Sequence, residues 1–261
     1  MRVWAVANQK GGVGKTTTLV TLAGLLAEQG KRVVLVDLDP HGSMTAWFHH
    51  NPDDIAATSG YQLFRHKGLV PKGLTHSLLL PTSHENVRLI GATPLLATLE
   101  RNFNSERAPG LVVTRALAQL WADFDYALID TPPLLGVLMV NAIAAAHKLL
   151  VPVATEFLAL KGLERMQRSI SMISKSRGKP IDYTIVPTLF DRRTQSANAS
   201  LQQLQERYVG TLWPSVIPVD PKVREAAMLG LFPSQLSAHS RAVTAYSALL
   251  AHLETPALER V

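Results

Sequence analysis

Short apolar runs alternate along the chain with longer stretches in which apolar residues recur at helical spacing. The runs at 2–7, 32–37, 87–90, 126–130, 148–153, 183–187 and 215–218 predict strands. The stretches at 15–29, 92–100, 112–123, 137–146, 158–175, 195–208 and 238–253 predict helices. Alternation of this kind builds βα units, so the expectation is a doubly wound α/β fold with a mainly parallel sheet. Several runs, Val33-Val34-Leu35-Val36 among them, are continuously apolar, as strands covered on both faces are. Gly30 stands where a glycine would end the first helix. No repeat, low-complexity tract or Pro/Ser-rich linker divides the chain, so the pattern predicts one domain over residues 1–261. Residues 49–85, with clustered His and scattered Gly and Pro, carry no clear period.

Composition acts mostly by exclusion. Hydrophobic residues make up 47% of 261, which rules out a disordered or fibrous chain and allows a large core. Lys and Arg outnumber Asp and Glu by 26 to 20, a net charge of +6 that favours anionic partners such as nucleotides or nucleic acid. The absence of cysteine removes disulfide scaffolds, Cys-ligated zinc, iron–sulfur clusters and a cysteine nucleophile. The short apolar start runs straight into glycines, unlike a signal peptide, and no stretch reaches the ~20 apolar residues of a membrane helix. A soluble, cytoplasmic protein without membrane insertion is expected.

The chemistry begins at Asn8-Gln9-Lys10-Gly11-Gly12-Val13-Gly14-Lys15-Thr16-Thr17, between a strand and a helix. Glycines there let backbone N–H groups turn in around phosphate oxygens, and the helix N-terminus adds a favourable dipole. Lys15 would reach the β- and γ-phosphates and the Thr16 hydroxyl would ligate Mg²⁺. The general phosphate-loop pattern wants a glycine where Gln9 stands, so it fails when taken literally. A second apolar run delivers Asp37 and Asp39, followed by Pro40-His41-Gly42-Ser43; residues i and i+2 of a strand share a face, which would turn both carboxylates toward the phosphates. A third, Tyr126-Ala127-Leu128-Ile129-Asp130, ends in one Asp followed by Thr131-Pro132-Pro133, the form of a carboxylate that holds Mg²⁺ directly or through water.

The Lys10-Gly-Gly-Val-Gly-Lys15-Thr wording, with these two Asp segments, resembles the deviant Walker A loop of the ParA/MinD family of P-loop ATPases. The resemblance implies ATP and Mg²⁺ as cofactors, held by Gly11, Gly12, Val13, Gly14, Lys15, Thr16 and Thr17. It implies an ATP-bound homodimer in which Lys10 reaches the partner's nucleotide, Asp39 orients or activates the attacking water, and Thr16, Asp37 and Asp130 serve the metal. It extends to Glu156 and Leu160-Lys161-Gly162-Leu163, to the segment holding Pro187 and Thr188 near the adenine, and to Ile217-Pro218 with Glu225-Ala226. Two departures stand out: Asp-Pro-His-Gly-Ser in place of Asp-Pro-Gln-Gly-Asn, and Val219-Asp220 where an arginine usually follows Ile-Pro.

Family members bind DNA without sequence preference through late basic segments. Arg192, Arg193, Lys222 and Arg224, with Arg177 and Lys179 earlier, are the matching candidates. The resemblance implies slow hydrolysis stimulated by a ParB-like or other cargo-adaptor protein, acting at the nucleoid or the cell pole. The cargo stays open between plasmid or chromosomal DNA and a protein assembly such as a chemosensory array. A MinD-like division regulator would need a basic amphipathic C-terminal helix, which Pro256 and two glutamates disfavour. A metabolic P-loop enzyme would need cluster cysteines or a substrate site, and neither is visible. His41, His49, His50, His239 and His252 lack zinc-ligand spacing and read as structural or surface residues.

Overall fold

The computed structural model describes residues 1–66, 68–101, 111–156 and 159–255. The strands are β1 (Arg2–Val6), β2 (Val33–Asp37), β3 (Leu79–Pro81), β4 (Val87–Ile90), β5 (Tyr126–Asp130), β6 (Lys148–Ala154) and β7 (Tyr183–Thr188). They form one sheet in the order β3-β4-β2-β5-β1-β6-β7. Every pairing is parallel except β3 with β4, so the expected doubly wound, mainly parallel sheet is present with one antiparallel edge. Pro81 fits an edge position because it has no N–H to give a further strand.

Alternate residues of the central strands enter opposite cores. Val3, Ala5, Val34, Val36, Ala127 and Ile129 face one side, and Trp4, Val6, Val33, Leu35, Tyr126 and Leu128 face the other. This two-sided burial is why the strands read as unbroken apolar runs. The first side is covered by α6 (Val112–Gln119), α7 (Val137–Ala145), α8 (Ala159–Arg177) and α9 (Gln195–Arg207). The second is covered by α1 (Lys15–Glu28) and by three late helices. In our labels these are α10 (Pro221–Met228), α11 (Pro233–Leu236) and α12 (Arg241–Glu254). The remaining helices are short: α2 (Ser43–Trp47), α3 (Tyr61–Phe64), α4 (Leu74–Ser77) and α5 (Leu96–Arg101), with a single 3₁₀ turn at Ala56–Thr58.

One expected strand is absent. Residues 215–218 add no strand; isolated bridges join Leu212, before them, to Ile185 of β7 and Pro218 to Phe190 just past β7. Trp213 N–H donates to Ile185 O and Ile217 N–H to Pro187 O, while Pro214 and Pro218 have no N–H to continue a ladder. The helix expected from 92 starts at Leu96, after turns in which Leu96 N–H bonds Thr93 O and Ala97 N–H bonds Pro94 O. The helix expected from 238 starts at Arg241, where the Ser240 hydroxyl accepts from Val243 N–H at 3.3 Å. Residue 158, the expected start of the α8 helix, and residues 256–261 lie outside the described residues.

Candidate active site

β1 lies between β5 and β6, so the loops leaving β1, β2 and β5 gather at the carboxyl end of the sheet, where open α/β sheets bind ligands. The loop after β1 is pinned from both sides. Asn8 Nδ2 donates to Pro152 O at 2.7 Å, its Oδ1 accepts from Lys10 N–H at 3.0 Å, and Gln9 Nε2 donates to Ser169 Oγ at 2.6 Å. The Thr188 hydroxyl donates to Val13 O at 2.8 Å. Gly12 and Gly14 take φ of 72° and 84°, a left-handed backbone that side chains other than glycine resist.

With the loop so held, the N–H groups of Gly11 through Thr17 donate to no protein acceptor among the described residues, and a Cβ added at Gly11, Gly12 or Gly14 would meet nothing within 4 Å. Unpaired N–H groups around open space at a helix N-terminus are what a phosphate chain fits. Lys15 is only 7% exposed; its Nζ donates to Lys10 O at 3.3 Å, and burial lowers its pKa against the opposing pull of Asp130 and Asp39. Its charge thus sits beside the cradle with few protein partners.

The floor is carboxylate. Asp37 and Asp130 are fully buried and stand opposite each other in the β2–β5 register. The Thr16 hydroxyl donates to Asp130 Oδ2 at 2.5 Å and Thr131 N–H to its Oδ1 at 3.0 Å. Asp37 Oδ2 accepts from Thr45 N–H at 2.9 Å and the Thr45 hydroxyl at 2.8 Å, and Oδ1 accepts from Asp39 N–H at 3.1 Å. Burial pushes the Asp37 carboxyl up to about 8, with the Asp130 charge adding to the rise. Burial likewise raises Asp130 to about 6, with Thr16 and Lys15 opposing. β2 ends at Asp37, so Asp39 stands in the loop beyond the strand and the shared-face expectation does not carry to it. Its Oδ1 accepts from His41 N–H and lies 2.8 Å from His41 Nδ1.

Among the described residues no cluster of three or more His, Cys, Asp or Glu could hold a metal by itself. A cation here would rest on Thr16, Asp130 and the nucleotide's own phosphates. Asp37, which accepts from Thr45 and from Asp39 N–H, braces the loop that carries Asp39. Thr45 completes that brace, because its hydroxyl also accepts from Ala92 N–H at 2.8 Å beyond β4. Thr45 escaped the sequence reading, since a lone Thr in an unpatterned stretch gives no signal.

The basic candidates separate. Arg192 and Arg193 line an open cavity of about 570 Å³ with Phe190, Pro218, Pro221 and Arg241, near the start of α10, which carries Lys222 and Arg224. Arg193 donates to Asp191 from Nε, Nη2 and its backbone N–H, holding that carboxyl down to about 2, and Lys222 pairs with Glu225 at 2.6 Å. Arg192 and Arg224 are exposed and carry no ion pair among the described residues. Arg177 ends α8 and Lys179 precedes β7, at the opposite end of the sheet. Pro187 and Thr188 are buried in β7, and Thr188 spends its hydroxyl on the phosphate loop. No helix among the described residues is long and apolar enough to cross a membrane.

A family model described as an AAA domain matches residues 1–183. The chain is 31% identical over 230 residues to a chromosome partitioning protein ParA of Myxococcus xanthus, covering 88% of this chain and 79% of that protein. It is 32% identical over 230 residues to the sporulation initiation inhibitor protein Soj of Bacillus subtilis, covering 88% of each. Among solved structures, a cobyrinic acid a,c-diamide synthase of Mycobacterium smegmatis with an ATP analogue and magnesium bound superposes with a TM-score of 0.79. That likeness is at 34% identity and covers 98% of this chain and 96% of that one. The phosphate loop, the two buried strand-end aspartates and these likenesses agree, and the chain belongs to the ParA/MinD-like family of P-loop ATPases.

Proposed function

We propose that the chain is an Mg²⁺-dependent ATPase switch that dimerises with ATP, binds DNA without sequence preference in that state, and segregates plasmid or chromosomal DNA. The observation that carries the nucleotide part is the row of unpaired N–H groups from Gly11 to Thr17 beside buried Lys15, with Thr16 and Asp130 below. In this reading the loop and Lys15 bind the phosphates, and Thr16 and Asp130 hold the metal, which neutralises charge on the phosphates. Asp37 supports that shell by fixing the loop of Asp39. Asp39 orients the water that attacks the γ-phosphorus, giving ADP and phosphate. Lys10 completes the site of the partner protomer, and Pro187, Thr188 and Pro218 border the adenine. Such catalysis is positioning and charge neutralisation, so a dimer-dependent Lys10 couples hydrolysis to assembly. The partition role rests on the names of the two bacterial relatives, and a ParB-like adaptor would stimulate hydrolysis and release.

Asp39→Ala tests the switch. The variant should bind ATP as tightly as the parent, hydrolyse it at least tenfold more slowly, and accumulate as dimer in sedimentation velocity. A monomer with normal turnover would remove Asp39 from the mechanism. The alternative cargo, a protein assembly held at the cell pole, is separated by imaging a fluorescent fusion: polar foci independent of the nucleoid would favour it.

A further inference from the structure

Helix α7 carries no cap of its own. Its N-cap residue is Gly136, which has no side chain to offer. Instead Val137 N–H donates to Glu100 Oε2 at 2.8 Å and Leu138 N–H to Glu100 Oε1 at 3.1 Å. The cap is thus delivered by α5, 37 residues earlier in the chain than Val137. A carboxylate suits this place, because charge-assisted bonds are strong and negative charge at a helix N-terminus is favoured by the dipole. Gly136 makes room for it. Its backbone is extended, so the missing side chain serves space, and a Cβ there would overlap the Glu100 carboxylate. Among the described residues Glu100 forms no ion pair that would draw it elsewhere.

Glu100 ends a stretch whose start is tied to the active site as well. Ala92 N–H, just past β4, donates to the Thr45 hydroxyl, which itself donates to Asp37 Oδ2. Between these two ends, fully buried Leu96 fastens the start of α5 to the core. Residues 92–100 therefore bridge the loop after β2, which carries Asp39, and the loop after β5. That second loop is held at its entry by Thr131, whose hydroxyl donates to Val6 O at 2.8 Å, and at its exit by Glu100. Its tip has little packing of its own, since Leu134 is 59% exposed. An open cavity of about 780 Å³ is lined by Asp39 and His41 from one loop, Pro133 and Leu134 from the other, and Ala97 and Glu100 from the bridge. We infer that Glu100 is a positioning residue for hydrolysis: by capping α7 it fixes the loop after β5 opposite Asp39 and sets the space in which Asp39 orients water. The inference rests on the reading of Asp39 as the residue that orients the attacking water. Glu100 acts through that space, so it governs the rate and leaves nucleotide affinity to the loop after β1.

Three measurements on the full chain test this. By hydrogen exchange and mass spectrometry, the peptide holding Val137 and Leu138 should exchange several-fold faster in Glu100→Ala than in the parent. In single-turnover hydrolysis of ATP, Glu100→Ala should be about five- to tenfold slower, while its affinity for a fluorescent ATP analogue stays within about twofold of the parent. Gly136→Ala, whose methyl displaces the carboxylate, should reproduce the loss, and in the Glu100→Ala background should add little to it. Should Glu100→Ala fail to fold, Gly136→Ala alone carries the same expectations. In an Asp39→Ala background, Glu100→Ala should slow hydrolysis no further. Unchanged exchange at Val137 and Leu138 overturns the cap. Faster exchange with parental hydrolysis, or an equal further loss in the Asp39→Ala background, overturns the positioning role. So does a loss of analogue affinity as large as the loss of rate, which marks a general loosening of the fold. If Asp39→Ala hydrolyses ATP at the parental rate, the reading of Asp39 fails, and faster exchange in Glu100→Ala leaves the cap itself standing.

Discussion

At the scale of single residues, the site turns on two carboxylates kept out of water. Asp37 and Asp130 face each other in register, and burial raises both above the ordinary carboxylate range. A raised folded-state pKa means that the folded protein keeps protons the unfolded chain has already released. Stability then falls as pH rises from the unfolded value near 4 through the folded values. Nucleotide-free protein should therefore have a higher urea midpoint at about pH 6 than at about pH 8, the carboxylates contributing on the order of 2 kcal/mol to the difference. Asp130→Asn should flatten that slope. It removes one titrating group and relieves the charge felt by Asp37, while Asn can still accept from Thr131 N–H and donate to Thr16. An unchanged slope would mean that Asp37 and Asp130 are not coupled. Sequence reasoning located both residues because each ends an apolar run in a chain that also carries the glycine loop; an apolar run ending in Asp is a weak pattern alone. It gave Asp37 a supporting place in the Mg²⁺ and phosphate shell and did not see the bonds from Thr45 and Asp39, which depend on how the following loop folds back.

At the scale of elements, what was legible followed periodicity. Six of the seven strands in the sheet lie within or beside runs that the pattern marked, and α1, α7, α8, α9 and α12 sit close to their expected places. Elements shorter than about two turns were illegible, because α2, α3, α4, α11 and the edge strand β3 are too brief to show a period. They form through long-range contacts instead. Trp47 Nε1 bonds Leu231 O across to the late helices, and Gln235 bonds Ser83 beside β3. The reverse error at 215–218 has the same cause: an apolar stretch looks like a strand, and only the placement of Pro214 and Pro218 against β7 denies it a ladder. Gly24, in the middle of α1, shows how packing overrides propensity. A Cβ there would come within 2.7 Å of Phe232 Cβ and 3.0 Å of Ser234 Oγ, so the glycine lets α11 close onto the phosphate-loop helix. Gly24→Ala gains about 1 kcal/mol of helix propensity and loses about 1–3 kcal/mol to overpacking. A net loss on the order of 1 kcal/mol is expected, read as a melting temperature lower by about 3 °C. A rise in melting temperature would show that α11 moves aside at no cost.

At the scale of the whole molecule, the +6 charge is divided among places that do different work. Lys10 and Lys15 sit together at the loop after β1, where the proposed function uses them on nucleotide, and Arg177 and Lys179 stand at the far end of the sheet. In the proposed DNA-binding reading, the rim around Arg192, Arg193 and α10 is the surface tested for a polyanion. Within it, Arg193 and Lys222 already have carboxylate partners, so bringing them to phosphate means exchanging one ion pair for another. Arg192 and Arg224 have no such partner to give up among the described residues, and should carry most of the affinity. Each phosphate contact removed lowers the slope of log affinity against log salt by about 0.9, and a dimer loses each contact twice. Fluorescence anisotropy with a labelled duplex, ATP and a salt series should thus give a clearly shallower slope and weaker binding for Arg192→Ala/Arg224→Ala. Arg193→Ala/Lys222→Ala should change both less, and neither pair should alter the preference between duplexes of different sequence, because phosphate contacts carry no base information. If the parent fails to bind at low salt with ATP present, the DNA reading fails as a whole. If the paired residues matter more than the unpaired ones, the rim reorganises on dimerisation and the protomer alone does not define it.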